Sequence, residues 1–179
     1  MTADEADRRA QLLALIRQLA IIHGEVTLSS GQSASWYIDL RRVLLEGRAA
    51  PLAGQVMLDT TAGLEYEAVG GLTLGADPVA TAMLHAAAAR GRKLDAFVVR
   101  KTEKAHGLQR LIEGPDVAGR RVLAVEDTST TGNSVLTAVD ALQSAGAQVV
   151  GVAVVVERGA RPRVTARGLT YLAAFELAD

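Results

Sequence analysis

An apolar run, Val122-Leu123-Ala124-Val125, ends in two acids, Glu126 and Asp127, and then in Thr128-Ser129-Thr130-Thr131-Gly132-Asn133-Ser134. The run reads as a buried strand. A helical pattern of Val135, Leu136, Val139 and Leu142 follows and closes at Gly146. Strand, short polar turn and helix together make an anion site, because a helix N-terminus offers unpaired N–H groups and the positive end of its dipole. Thr130, Thr131 and Ser134 add hydroxyl donors, and Gly132 lets the backbone approach a phosphate with no Cβ in the way. The acids do different work. Carboxylates accept hydrogen bonds from the vicinal hydroxyls of a ribose and can share Mg²⁺ with it. One turn thus offers donors for a phosphate beside acceptors for its sugar, as a phosphoribosyl group requires. An ordinary strand end with a Ser/Thr helix cap accounts for parts of this run but not for all of it. No Gly-x-x-x-x-Gly-Lys is present, so a nucleoside triphosphatase loop is unsupported.

Three further stretches carry candidate chemistry. Arg100, Lys101, Lys104, His106 and Arg110 stand against Glu103 alone in a segment with little apolar periodicity. Long loops of this kind are usually functional, although a charge run is also a common solvated surface. Gly70-Gly71-Leu72-Thr73-Leu74-Gly75 is a second backbone-amide anion candidate, through backbone or Thr73, or simply a tight strand–helix connection. Arg158 follows an apolar strand and suits a planar carboxylate or ring carbonyl by bidentate contact; a surface ion pair is the plainer alternative. Trp36, the sole tryptophan, and Tyr37 could line a pocket for a flat ring or merely pack their own strand.

The elements that must position these residues alternate. Residues 4–22 read as a helix with Leu12, Leu15, Ile16, Leu19 and Ile22 on one face, ended by His23-Gly24. Two strands follow, at 25–28 and 35–40, with a turn at Ser29-Ser30-Gly31-Gln32. They precede the βα alternation and are expected to form an appendage over the main sheet. A helix over 48–61, a strand near 66–70, a helix capped by Asp77 with Pro78 first, and a strand over 94–99 come next. Residues 112–116 read as a turn, 148–156 as a buried strand, and 169–175 as the last strand after a short helix near Pro162. His85 reads as structural. The order predicts an α/β fold, a mainly parallel sheet flanked by helices, Rossmann-like, with a small N-terminal hood.

The totals bound the answer. The chain has 179 residues, 49% apolar and only 3% aromatic, so its core is built from Ala, Val and Leu. The expectation is a single domain over 1–179, with 1–45 forming the helix and hood. Net charge is −1, which offers no global basic field for nucleic acid. The absence of cysteine excludes disulfides and thiolate sites. No stretch suits a membrane span, and the acidic first residues do not resemble a signal peptide, so a cytoplasmic protein is expected.

The run from Val125 to Ser134 resembles the phosphoribosyl-pyrophosphate (PRPP) signature of type I phosphoribosyltransferases. Thr27 to Asp39 is similar to the hood of the orotate phosphoribosyltransferases, and Arg100-Lys101-x-x-Lys104-x-His106-Gly107 is similar to their mobile catalytic loop. The resemblance covers nearly the whole chain. It implies a glycosyltransferase of pyrimidine (UMP) biosynthesis that joins orotate to PRPP, giving orotidine 5′-phosphate and diphosphate. It implies Arg100, Lys101, Lys104 and His106 as catalytic and PRPP-binding. Glu126, Asp127, Thr128, Ser129, Thr130, Thr131, Gly132, Asn133 and Ser134 would hold the rest of PRPP. Thr130, Arg158, Trp36 and Tyr37 would bind orotate. Mg²⁺ would be held mainly through PRPP, with Glu126 and Asp127 as the protein groups able to reach it. A homodimer sharing its mobile loop is implied, with no nucleic-acid or membrane partner. Ser29 stands where some members have a substrate-touching lysine, and Asn133 replaces a common glycine; Asn tolerates positive φ, so the turn is expected to survive. Two alternatives stand beside this reading: transfer to another nucleobase, and a non-catalytic PRPP-sensing regulator.

Overall fold

The computed structural model describes residues 2–27, 33–101 and 111–177. Six strands form one sheet. Β-branched, apolar sequence dictates its centre: Val122 to Val125 and Val152 to Val156 are buried throughout. Along the first of these runs the side chains alternate between two layers. Leu123 and Val125 join one hydrophobic cluster, whereas Val122 and Ala124 join the other. A continuous apolar strand is what a sheet covered on both faces requires.

The strands are β3 (Ala68–Leu72), β4 (Asp95–Val99), β5 (Ile112–Glu113), β6 (Arg121–Ser129), β7 (Gln148–Glu157) and β8 (Tyr171–Glu176), in the spatial order β5-β4-β3-β6-β7-β8. All neighbours run parallel except β4 and β5. From β3 the chain moves outward to β4. It then returns across β3 to place β6, and builds in the opposite direction. The crevice between the carboxyl ends of β3 and β6 is therefore the topological switch point, where open α/β sheets bind ligands. Both phosphate-binding candidates leave those two strand ends.

Helices α1 (Ala3–Leu19), α3 (Ala49–Thr60) and α4 (Ala76–Ala89) cover one face, with the short α2 (Arg41–Leu44) beside them. On the other face lies α5 (Asn133–Ser144), whose Val135, Leu136, Ala138, Val139 and Leu142 are buried, with α6 (Arg161–Thr165) beside it. Strands β1 (Ile21–Thr27) and β2 (Ser33–Ile38) pair antiparallel in a sheet of their own, as expected of the hood.

Several boundaries differ from the expectation. The first helix stops at Leu19, and Ile22 and His23 belong to β1. The β-branched pair Ile21-Ile22 is drawn into the ladder by Ile38 and Tyr37, and His23 stands opposite Trp36. Residues 28–32, which include Ser29, lie outside the described residues. Gly75, not Asp77, is the N-cap of α4; Asp77 falls in its first turn. Residues 112–116 begin with the short β5. The strand β6 runs on through both acids to Ser129, because β7 pairs with it as far as Glu157.

One ionic clamp ties the helical layer together. Asp59 of α3 takes Arg8 of α1 at 3.0 Å and Arg90 beyond α4 at 2.6 Å, with its own side chain only 16% exposed. Burial opposes its ionisation, but the hydrogen bonds from Arg90 and Arg8 win and hold its carboxyl below the usual range. A carboxylate with a lowered folded pKa contributes stability above its unfolded pKa, and that contribution is lost as pH falls through the folded value. Asp59→Ala is therefore expected to cost about 2 kcal/mol at neutral pH, a fall in Tm of about 4–8 °C. In thermal melts the difference from the parent should close at acid pH; a constant difference across pH would refute the ionic origin.

Candidate functional site

Glu126 and Asp127 sit where β6 reaches the crevice. Glu126 is only 5% exposed. Its Oε1 accepts the Asp127 N–H at 3.2 Å, and Asp127 Oδ1 accepts the Thr128 N–H at 2.6 Å. Burial first, and then the adjacent Asp127 charge and carboxyl contact, push Glu126 far above the usual carboxylate range, to about 9. Asp77 adds to that push from α4. Three acids thus stand close enough to feel one another's charge.

The turn after β3 closes on this pair. A Cβ at Gly75 would lie 2.3 Å from Glu126 Oε1 and 2.7 Å from Asp127 Oδ1. Glycine is required here by close approach, since Gly75 itself has an ordinary helical φ of −61°. The Thr73–Leu74 peptide is cis. Both donors of Thr73 are already engaged: its N–H donates to Val99 O at 2.9 Å and its hydroxyl to Asp77 Oδ2 at 2.7 Å. Any anion at this turn would meet the amides beyond Thr73. The other Asp77 oxygen is buried without a partner.

Beyond Ser129 the turn residues Thr130, Thr131, Asn133 and Ser134 are exposed, while Gly132 is buried. Gly132 caps α5 with φ +77°, a left-handed conformation that glycine adopts freely. Asn133 is the first residue of α5 and carries no positive φ, so its replacement of glycine strains nothing. The first turn of α5 closes with Leu136 N–H to Gly132 O at 3.0 Å. The amides ahead of it point from the helix N-terminus as an anion site requires. Asn133 N–H reaches Thr131 Oγ1 at 3.4 Å, and Arg163 Nη1 braces Thr131 O at 3.3 Å.

Arg158 enters from β7. Its N–H donates to Ser129 O at 2.9 Å, which fixes its backbone beside the turn, and its buried Nε has no protein partner. Arg100 and Lys101 leave the end of β4 beside Thr73, lining a depression of about 450 Å³. Glu113 holds Arg100 at 3.5 Å. Lys104 and His106 lie outside the described residues. Trp36, 41% exposed, and Tyr37 stay on the separate hood sheet.

Arg41 was not singled out from the sequence. It is held chiefly by Asp39, through a 2.8 Å ion pair, and also feels the charges of Asp127 and Tyr37. Its charge is thus felt at the acid pair although its ion pair is with Asp39. The signal lay in Asp39-Leu40-Arg41, an acid and a base two residues apart just after β2.

Two carboxylates side by side fit Mg²⁺ that is held mainly by a ligand, since this ion takes one or two protein carboxylates together with phosphate oxygens and water. Among the described residues no group of three or more His, Cys, Asp or Glu could hold a metal by itself. No described helix is long and apolar enough to cross a membrane.

Comparison with known proteins agrees with this geometry. Residues 58–168 match the family described as phosphoribosyl transferase domain. The orotate phosphoribosyltransferase of Streptomyces avermitilis is 64% identical over 173 residues, covering 95% of both chains. The crystal structure of Mycobacterium tuberculosis H37Rv orotate phosphoribosyltransferase in complex with Fe(III) dicitrate superposes with a TM-score of 0.87 at 58% identity, covering 96% of this chain and 97% of that one. The structure of the same enzyme in complex with 5-phospho-alpha-D-ribosyl 1-diphosphate gives a TM-score of 0.83 at 53% identity, with the same coverage. The chain belongs to the phosphoribosyl transferase domain family and, within it, to the orotate phosphoribosyltransferases.

Proposed function

We propose that this chain joins N1 of orotate to the ribose C1 of PRPP, giving orotidine 5′-phosphate and diphosphate, a step of pyrimidine biosynthesis. The observation that carries the reading is the acid pair of β6, set at the switch point between the phosphate turn and the Gly75 turn. In this reaction the C1–diphosphate bond loosens early. Positive charge grows on the sugar and negative charge on the leaving group. Catalysis then consists of fixing the sugar and neutralising the diphosphate.

The residues divide that work. The amides and hydroxyls from Thr128 to Ser134 take the 5′-phosphate. Glu126 and Asp127 take the ribose hydroxyls and would supply the protein ligands of Mg²⁺, which when bound neutralises charge between ribose and diphosphate. Arg100 and Lys101, beside Thr73, meet the diphosphate; Lys104 and His106 are assigned to it by the family pattern. Arg158, with Nε unpaired, orients orotate together with Thr130, and Trp36 and Tyr37 cover the base from the hood.

The same reading includes a cytoplasmic homodimer in which the segment 101–111 serves the partner's site. An apolar groove of about 680 Å³ between α3 and α4 supports it, flanked by Leu45, 74% exposed, and Leu74, 65% exposed. Leu74 belongs to the Gly75 turn, so this groove adjoins the site. Leu45→Asp is expected to convert a dimer to a monomer in analytical ultracentrifugation with loss of activity; an unchanged dimer would remove the groove from the interface.

Orotate consumption, followed by ultraviolet absorbance with PRPP and Mg²⁺ and run beside adenine, hypoxanthine, guanine and uracil, tests the function itself. Loss of orotate alone is expected. Turnover of another base, or PRPP binding without turnover, would replace this reading with one of its two rivals.

Glu126→Gln gives a second test with opposite signs for activity and stability. The raised pKa means that ionisation of Glu126 costs nothing below its ordinary value of 4.5, and increasingly destabilises the fold as pH rises towards about 9. The variant should lose roughly 100-fold in kcat/KM. In ligand-free thermal melts its Tm should gain on the parent progressively from pH 5 to pH 9. A variant less stable than the parent at pH 8 would show that the buried acid is structural.

A further inference from the structure

We infer that Glu157 and Tyr171 form a positioning pair that holds Arg158 in register with the phosphate turn. The inference rests on the assignment of Arg158 to orotate and deepens it.

Glu157 ends the apolar strand β7 and Tyr171 begins β8; each is only 5% exposed. An acid at this depth is costly unless its oxygens are satisfied. One oxygen, Oε2, takes the Tyr171 hydroxyl. The other, Oε1, takes the Gly159 N–H at 2.7 Å and the Arg161 N–H at 3.0 Å. These donors follow Arg158 directly, so one carboxylate gathers the whole turn that carries the arginine. Burial opposes ionisation of Glu157, yet the Tyr171 hydroxyl and the two amides outweigh it and hold the carboxyl below its ordinary range.

The turn so gathered is stitched to β6. Arg158 N–H meets Ser129 O at 2.9 Å. Gly159, at φ +121°, brings the position of its absent Cβ to 3.3 Å from Thr130 O. Tyr171 is locked in turn, since the Arg161 guanidinium lies 5.1 Å above its ring and donates to Tyr171 O at 3.2 Å. The chain of contact runs from the Tyr171 hydroxyl through Glu157 to the backbone on which Arg158 is mounted. The Tyr171 hydroxyl also meets the Ser129 side chain at the end of β6, so the pair touches the strand end from behind as well as through the Arg158 turn. Their effect on the reaction is to fix where the Arg158 guanidinium stands relative to Thr130, which matters because displacement of a substrate-orienting group by an ångström is enough to impair it.

Tyr171→Phe and Glu157→Gln keep the size of each side chain and remove the link. Steady-state kinetics with each substrate varied should show KM for orotate raised about tenfold. KM for PRPP should rise clearly less than KM for orotate, since the Gly132 cap of α5 and the Arg163 contact to Thr131 O hold the phosphate turn besides the Ser129 contact of Tyr171. Arg158→Ala is run beside them, together with the double variant Arg158→Ala/Tyr171→Phe. With the arginine gone, the tyrosine should have nothing left to position, so the double variant should match Arg158→Ala in orotate KM. An additive double variant, or parallel rises in both KM values, would overturn the inference and leave Tyr171 a packing residue. If Arg158→Ala raises orotate KM while neither Tyr171→Phe nor Glu157→Gln does, the positioning role fails and the base assignment survives. An unchanged orotate KM in Arg158→Ala would overturn the base assignment, and the inference with it.

Discussion

Two carboxylates held side by side at the buried end of β6 repel each other, and the surrounding site is arranged around that repulsion. Burial and the Asp127 charge disfavour a second negative charge on Glu126, and Asp77 adds to the effect. Such a pair gains most from a ligand that brings hydroxyl donors and a divalent cation together. A phosphoribosyl diphosphate is a ligand of that kind. The close approach of Gly75, which leaves no room for a Cβ against either acid, welds the turn after β3 to the end of β6. The subsites proposed for sugar, phosphate and diphosphate would thereby be fixed to one another through the sheet itself. Rigid strand ends are better suited to this than loops, because their geometry is set by the ladder rather than by loop conformation.

The supporting layer follows from the same requirement. The left-handed Gly132 turns the chain from β6 into α5 and aims the helix N-terminus into the crevice. Arg163 and Ser129 brace the turn from behind. On the far side Arg41, anchored by Asp39, sets a positive charge near enough to Asp127 to be felt there. The clamp at Asp59 lies away from all this and serves the packing of α1, α3 and α4. The two roles are separated in space: one carboxylate, Asp59, paired with two arginines stabilises the helical layer, and the acid pair of β6 stands at the crevice.

Much of the site could be read from the sequence because its parts are local. The strand, acids, hydroxyls and glycine of β6 and α5 fall within one short run, and period and composition reveal them together. The hood and the parallel sheet were also legible, from where the βα alternation begins. What could not be read depends on partners distant in the chain. Nothing near Gly75 announces that Glu126 will stand against it. Thr73 looks like a free donor until Val99 and Asp77 are seen to occupy it. The helical period carries on to Ile22, yet the pairing of Ile21 and Ile22 with β2 overrides it. Asp77-Pro78 carries a helix-start signal, but the helix is capped two residues earlier, at Gly75, which lies against the acids of β6. Each of these is a tertiary contact overriding a local preference.

Gly75→Ala tests the central claim most directly. The residue has an ordinary helical φ, so alanine fits the backbone, and the three heavy atoms nearest its methyl belong to the Glu126 and Asp127 carboxylates, which must shift to admit it. Titration calorimetry of PRPP with Mg²⁺ present should show affinity for the variant weakened by about tenfold or more, while circular dichroism shows the fold retained. If the folded variant binds PRPP as tightly as the parent, the acid pair does not hold the sugar and the crevice between β3 and β6 is organised around something else.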